Sequence, residues 1–241
     1  MTKVEKRQNS NKIKIISLIL DRHILAIGGG GFGRSNGSGK IEQYLLKLSN
    51  RKKPNICFIP TASGDNDSYK ASFYSLFTTL KCHPSHIDFF KRTKNIKKHI
   101  QSQDVIFVGG GNTKSMLAVW KDWELDHVLK DAYSNGVIMS GVSAGAICWF
   151  ARAITDSWQD ELSIIEGMNF IEGTCCPHFD EEPEREPFVR KSITSNLIDH
   201  CFAIEGESAL HIVNEITYES VNFGENKRAY KLHKEDNNIK K

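Results

Sequence analysis

Long apolar runs are missing from this 241-residue chain: no stretch approaches the about 18 consecutive apolar residues that a membrane-spanning helix needs, so none is expected. Residues 15–20 are apolar apart from Ser17 and follow a basic start. Asp21, Arg22 and His23 come next without a small-residue cleavage site, which argues against a secretory leader. Also missing is any C-x-x-C pair. The six cysteines, at 57, 82, 148, 175, 176 and 201, fall mostly in strand-like or apolar contexts and point to a reduced, cytoplasmic protein rather than a disulfide framework. Cys175 and Cys176 beside His178 lack the spacing of zinc ligands, so neither a metal nor a cofactor is expected. Excess charge is scarce as well. Lys and Arg number 32 against 29 Asp and Glu, interspersed to a net +3, so neither nucleic acid nor a membrane surface is an expected partner. The one basic cluster, residues 91–98, reads as the solvated face of a short helix rather than a phosphate site. No internal repeat or low-complexity linker divides the chain. Residues 1–241 are therefore expected to form a single α/β domain, flexible at about 1–12 and 235–241.

What the chain has is alternation. Residues 23–28, 55–59, 86–90 and 105–108 read as short buried strands, and residues 39–48, 68–80, 113–120 and 124–134 as helices, with Gly136 closing the last of these. Repeated strand, loop and helix units predict a mostly parallel sheet with helices on both faces. Beyond residue 150 the pattern is less regular. Residues 156–158 read as loop, 175–178 as the end of a short strand, and 181–198 as mostly helical despite Pro183 and Pro187. Residues 202–204, 209–213 and 228–232 read as a terminal antiparallel addition to the sheet.

In such sheets ligands bind beyond the carboxyl ends of the strands. The glycine run 28–31, residues 60–64, Gly109-Gly-Gly-Asn112 and Ser143 all follow predicted strands and should crowd one edge. The most informative of these segments is Val137-Ile-Met-Ser-Gly-Val-Ser-Ala-Gly-Ala-Ile-Cys-Trp-Phe150, an apolar strand running through Gly141-Val-Ser143-Ala-Gly145 into a helical run. That is the pattern of a nucleophile elbow, in which flanking glycines permit a sharp turn that exposes the Ser hydroxyl and aims the next amide at a developing oxyanion. Gly109-Gly-Gly-Asn112 reads as a second backbone-donor loop, with a tight turn as the simpler alternative. Gly28-Gly-Gly-Gly-Phe-Gly33 matches G-x-G-x-x-G, but no acidic residue ends the second strand, which argues against a dinucleotide. Of nine histidines, His178, in Pro177-His-Phe-Asp180, is the candidate base, with His211 in reserve.

Three segments, Phe107-Val-Gly-Gly-Gly-Asn-Thr113, Ser140-Gly-Val-Ser-Ala-Gly-Ala146 and Cys176-Pro-His-Phe179, resemble in order and spacing the peptidase E family of serine peptidases. The similarity runs from about residue 24 to residue 213. The resemblance implies a class I glutamine amidotransferase-like (flavodoxin-like) fold, a three-layer sandwich around a mostly parallel sheet, with Ser in place of Cys at the elbow. It further implies Ser143 as nucleophile, His178 as base, oxyanion donors at the Gly111 and Ala144 amides, and substrate contacts at Gly110 and Asn112. Known members include cytoplasmic dipeptidases that cleave after an N-terminal Asp, and cyanophycinases are relatives. A monomer or homodimer acting on a small acidic peptide or amide is the corresponding expectation. Arg185 roughly matches a basic segment near the substrate's acidic side chain, though a pairing with Glu181 or Glu182 serves equally. Asp156 matches a family acid near the substrate's amino group.

The acid of the triad departs from the family pattern. Its position aligns with Gly206, which leaves Glu205, or alternatively Glu207, to replace it through a bulge or turn, with Asp180 the nearest other carboxylate in sequence. The leading expectation is a serine dipeptidase. The alternatives are a catalytically weak or inactive relative that binds a small molecule or partner in the same cleft, and an amidotransferase-like domain, against which the elbow Ser argues.

Overall fold

The computed structural model describes residues 21–32, 39–158, 161–236 and 238–241. Its strands in chain order are β1 (His23–Ile27), β2 (Asn55–Ile59), β3 (His83–His86), β4 (Val105–Val108), β5 (Ile138–Val142), β6 (Phe150–Thr155), β7 (Ser163–Glu166), β8 (Ile171–Cys176), β9 (His200–Ile204), β10 (Ser208–Val213), β11 (Thr217–Asn222), β12 (Ala229–Glu235) and β13 (Asn238–Lys240). The α-helices are α1 (Lys40–Leu48), α2 (Asp67–Phe77), α3 (Ile96–Gln101), α4 (Thr113–Asp122), α5 (Leu125–Ser134), α6 (Ala144–Ile147) and α7 (Arg185–Thr194). None of the described helices is long and apolar enough to cross a membrane.

Strand residues alternate between two cores, as a period of two demands. Ile24 and Ala26 join Ile106, Val108 and Met139 on one face of the central sheet, while Leu25 and Ile27 join Phe58, Phe107 and Val142 on the other. The second face is covered by Leu45 of α1 with Phe73 and Phe77 of α2. The first is covered by Met116 and Trp120 of α4, by Leu125 and Leu129 of α5, and by Phe150, Cys175 and Phe202 from a second sheet. The central sheet has seven strands in the order β11-β10-β1-β5-β4-β2-β3, of which β1 to β5 run parallel, while β10 pairs antiparallel with β1 and β11 antiparallel with β10.

Four expectations are corrected. The third strand covers His83–His86 rather than residues 86–90, because Asp65 Oδ2 accepts the Phe89 and Phe90 amides (2.5 and 2.8 Å) and turns that segment away. The irregular half beyond residue 150 builds a six-stranded sheet of its own, β13-β12-β9-β8-β6-β7. Only β10 and β11 extend the central sheet; β9 and β12 belong to the second, whose outer face packs Cys201 and Leu232 against Val189 and Ile193 of α7. That helix is shorter than expected, with Pro187 tolerated in its first turn, where amides have no intrahelical acceptor. The chain end, expected to fray from Glu235, carries β13 back along β12. The expected flexible segment 1–12 lies outside the described residues.

Candidate active site

The elbow is built by close approach. A Cβ at Gly141 would stand 2.3 Å from Gly145 O, and one at Gly145 would stand 2.2 Å from Val108 O, so the strand can pass into α6 only without side chains at both positions. Ser143, between them, adopts φ 57° and ψ −114°, a conformation that costs a non-glycine residue about 1–3 kcal/mol and that the ladder bond Ser143 N–H to Ile27 O (3.0 Å) helps hold. Strain of this kind presents the hydroxyl at the end of β5. The first amides of α6, Ala144 among them, have no intrahelical acceptor.

His178 reaches the same point from a turn after β8, where its own amide donates to Gly28 O (3.2 Å) and its carbonyl accepts the Glu181 and Glu182 amides (3.0 and 3.2 Å). Its Nε2 lies 2.8 Å from Ser143 Oγ. Its Nδ1 lies 2.5 Å from Glu181 Oε2, in the same turn. With a carboxylate at Nδ1 the proton belongs on that nitrogen, so the network assigns Nδ1–H as donor to Glu181 and Nε2 as acceptor from the Ser143 hydroxyl. The side chains of His178 and Glu181 are 13% and 25% exposed, partly withdrawn from solvent but open to a cleft.

The carboxylate beside His178 Nδ1 is that of Glu181, not of Glu205 or Glu207. Glu205 Oε2 accepts the Arg228 amide (2.9 Å) and its Oε1 accepts the Tyr230 hydroxyl (3.0 Å), which turns it toward β12 and away from His178. Glu207 has φ 53° and lies over Gly224; its amide donates to Gly29 O (3.0 Å) and its carbonyl accepts from the amides of Phe223 and Gly224 (2.9 and 3.0 Å). Asp180 accepts the Gly206 amide (2.8 Å) and pairs with Lys227. The space at Gly206 is where Glu181 goes: a Cβ there would stand 2.4 Å from Glu181 Oε1. At the position that the resemblance aligns with the acid the chain has Gly206, and the Glu181 carboxylate lies in the space beside it. The sequence signal was an acid three positions after the histidine, facing a vacated position.

Of the two expectations for Arg185, the pairing with Glu182 is the one seen. Its side chain is 2% exposed, donates through Nε to Glu182 Oε2 (2.6 Å) and lies 3.9 Å from Asp156 through Nη2. It ties α7 to the end of β6, through Nη1 and Ile154 O (3.4 Å), rather than offering a free guanidinium to a ligand. Asp156 is exposed beside it, and Asn112 is the N-cap of α4, its Oδ1 accepting the Ser115 amide (2.8 Å). Gly110, by contrast, comes next to the elbow: a Cβ on it would be 3.3 Å from Ser143 Cβ. Gly111 packs on Ala62, and the next amide, Asn112 N–H, donates to Ala62 O (2.8 Å). His211, the reserve base, bonds His23 (3.0 Å) and Tyr44 (2.9 Å) instead.

A profile of Peptidase family S51 matches residues 24–218. The chain belongs to that family. The uncharacterized peptidase YgaJ of Bacillus subtilis (strain 168) is 41% identical to it over 212 residues, covering 88% of this chain and 92% of YgaJ. Peptidase E of Haemophilus influenzae (strain PittGG) is 26% identical over 196 residues, 74% of this chain and 82% of that one. Among solved structures, a protein designated a candidate peptidase E from Listeria monocytogenes EGD-e aligns with TM-score 0.63 at 16% identity, covering 85% of this chain and all (100%) of that one. A peptidase from an acI-B1 Actinobacterium aligns with TM-score 0.64 at 17% identity, covering 86% and 97%. These two likenesses concern the fold, an α/β class I glutamine amidotransferase-like (flavodoxin-like) arrangement around a mostly parallel sheet.

In this S51 peptidase chain the cleft over Ser143 and His178 has a volume of about 390 Å³ and is lined further by Gly30, Ser68, Tyr69, Ser72, Gly110 and Val142. That is the small end of the range for ligand sites. The six thiols stay outside it, all buried and free. Burial pushes them up, Cys57 and Cys176 to about 12, so none is a ready thiolate. Cys175 and Cys176 face opposite cores across β8, and His178 is engaged by Ser143 and Glu181.

Proposed function

We propose that the protein is a serine peptidase that hydrolyses small peptides through an acyl-enzyme, with Ser143 as nucleophile, His178 as general base and Glu181 as the orienting acid. The observation that carries this reading is the unbroken chain from Ser143 Oγ through both imidazole nitrogens to Glu181 Oε2 (2.8 and 2.5 Å). As Ser143 Oγ bonds to the scissile carbonyl carbon, its proton passes to Nε2. Glu181 stabilises the imidazolium, which returns that proton to the departing amine. Water then repeats the sequence on the acyl-enzyme and releases the acid product. The Ala144 and Gly111 amides are proposed to hold the oxyanion, each from a loop at the carboxyl edge of the sheet.

The departure at Gly206, which favoured a weak or inactive relative, loses its force once Glu181 supplies the carboxylate. A preference for an acidic N-terminal residue, implied by the resemblance, lacks its expected reader, since Arg185 is buried on Glu182. Six free thiols favour a reducing, cytoplasmic setting for the activity.

A fluorophosphonate tests the assignment: Ser143 Oγ displaces fluoride from phosphorus and remains covalently attached, so purified protein should gain one adduct, mapped to the peptide bearing Ser143. Protein that stays unlabelled while correctly folded would leave a binding role as the better reading. Gly206→Ala should fold normally, because the flexible end of Glu181 can move away from the new methyl. It should nevertheless lose about 10- to 1,000-fold in kcat, part of what removal of a triad acid costs. Unchanged turnover in Gly206→Ala would show that the Glu181 position is not needed.

A further inference from the structure

The cleft is lined by the hydroxyl-bearing side chains of Ser68, Tyr69 and Ser72, which the catalytic triad does not use. Tyr69 projects from the first turn of α2 with its ring edge-on to Phe58 (centroids 5.0 Å apart) and tilted against Phe32 (5.4 Å), which fixes its direction. Its hydroxyl oxygen accepts the Gly110 amide at 3.4 Å, on the backbone that flanks Ser143. A phenol has a single proton to donate. With the Gly110 amide occupying an acceptor position, that proton remains for whatever fills the cleft. Burial raises the phenol's pKa above its ordinary value, so it stays protonated. Ser68 and Ser72 of the same helix line the cleft beside it, and Ser72 Oγ, whose proton goes to Ser68 O (3.1 Å), offers its lone pairs to an incoming N–H.

Resting on the serine peptidase reading, we propose that Tyr69 contacts the substrate and sets its specificity: with Ser68 and Ser72 it forms a subsite for a side chain bearing a neutral hydrogen-bond acceptor, of the carboxamide class. The polar side chains that α2 brings to this cleft are hydroxyls, and Arg185 is engaged elsewhere. A carboxylate entering a hydroxyl-lined site gives up water without gaining an ionic partner, whereas an amide exchanges its water for the phenol and serine hydroxyls at little cost. A site built to hydrogen-bond its substrate discriminates strongly against the apolar isostere, because the buried polar group is then left unpaired.

The test compares Asn-Leu, Asp-Leu and Leu-Leu dipeptides on wild type, Tyr69→Phe and Ser72→Ala, with fluorophosphonate labelling of each protein in parallel. Wild type should favour Asn-Leu over both others in kcat/KM. In Tyr69→Phe the Asn-Leu to Leu-Leu ratio should fall by about tenfold or more, through KM on Asn-Leu, while labelling of Ser143 continues. Ser72→Ala, an exposed change that the fold tolerates, should lower the same ratio by a smaller factor. A merely structural Tyr69 would slow both dipeptides together and leave the ratio unchanged, and that result overturns the proposal. So does a wild-type preference for Asp-Leu. Wild type that neither labels nor turns over removes the peptidase reading and this proposal with it, whereas intact labelling with unchanged ratios removes this proposal alone.

Discussion

Ser143→Ala should lower kcat by about 10⁶-fold and abolish fluorophosphonate labelling, with a melting temperature close to that of wild type. The magnitude follows from the unit the residues form: without Oγ there is no atom for His178 to deprotonate, and only the oxyanion donors and substrate binding remain to accelerate attack by water. Stability should hardly change, because alanine needs the same strained φ of 57° at the elbow and the lost hydroxyl faces a cleft rather than a packed core. His178→Ala should be nearly as inactive, and the double variant little worse than either single one, since both remove the same step. Steady-state rates and calorimetry on the three variants check this. An active Ser143→Ala protein would overturn the assignment.

Glu181→Gln is expected to cost about 10⁴-fold in kcat with the fold intact. The substituted carboxamide would present either an NH₂ that competes as donor at Nδ1 or a neutral oxygen, and neither supports an imidazolium as a carboxylate does. The contrast with Glu205→Gln separates chemistry from structure. Glu205 accepts the Arg228 amide and the Tyr230 hydroxyl, so its substitution should be read in stability, at about 1–3 kcal/mol, with kcat nearly unchanged. Measuring both quantities on both variants decides the matter. A collapse of kcat in Glu205→Gln with Glu181→Gln active would exchange the roles of the two carboxylates.

Much of the carboxyl edge of the sheet was legible in the sequence because backbone constraints write themselves into residue types. Gly141 and Gly145 are required by contacts of 2.3 and 2.2 Å, and such contacts leave a fixed spacing around Ser143. His178 was legible from the strand before it. The acid was not, because its usual place is a strand-adjacent position, which in this chain is a glycine between Glu205 and Glu207. Glu181 lies in a run of acids that reads as the solvated start of a helix, and only the turn geometry distinguishes it from Glu182, which takes Arg185. The second sheet was hidden for a different reason. β6 carries a register shift between Phe150 and Arg152, and β12 buries only Leu232 of its 7 residues, so neither shows a clean alternation of apolar and polar residues.

His178 and Glu181, the proposed base and acid, share one turn, and this changes how the site can fail. A triad drawn from three separate segments has two junctions that thermal motion can open independently. In this protein the imidazole and its carboxylate travel on the same short arc of backbone, so a displacement of that arc carries both and preserves the 2.5 Å bond between them. The vulnerable junction is the other one, between the arc and the elbow on β5. Partial loosening of the protein should therefore yield molecules whose histidine keeps its tautomer and its charge partner yet stands too far from the serine to act. They would recover activity as a rigid-body return of one segment rather than a reassembly of three.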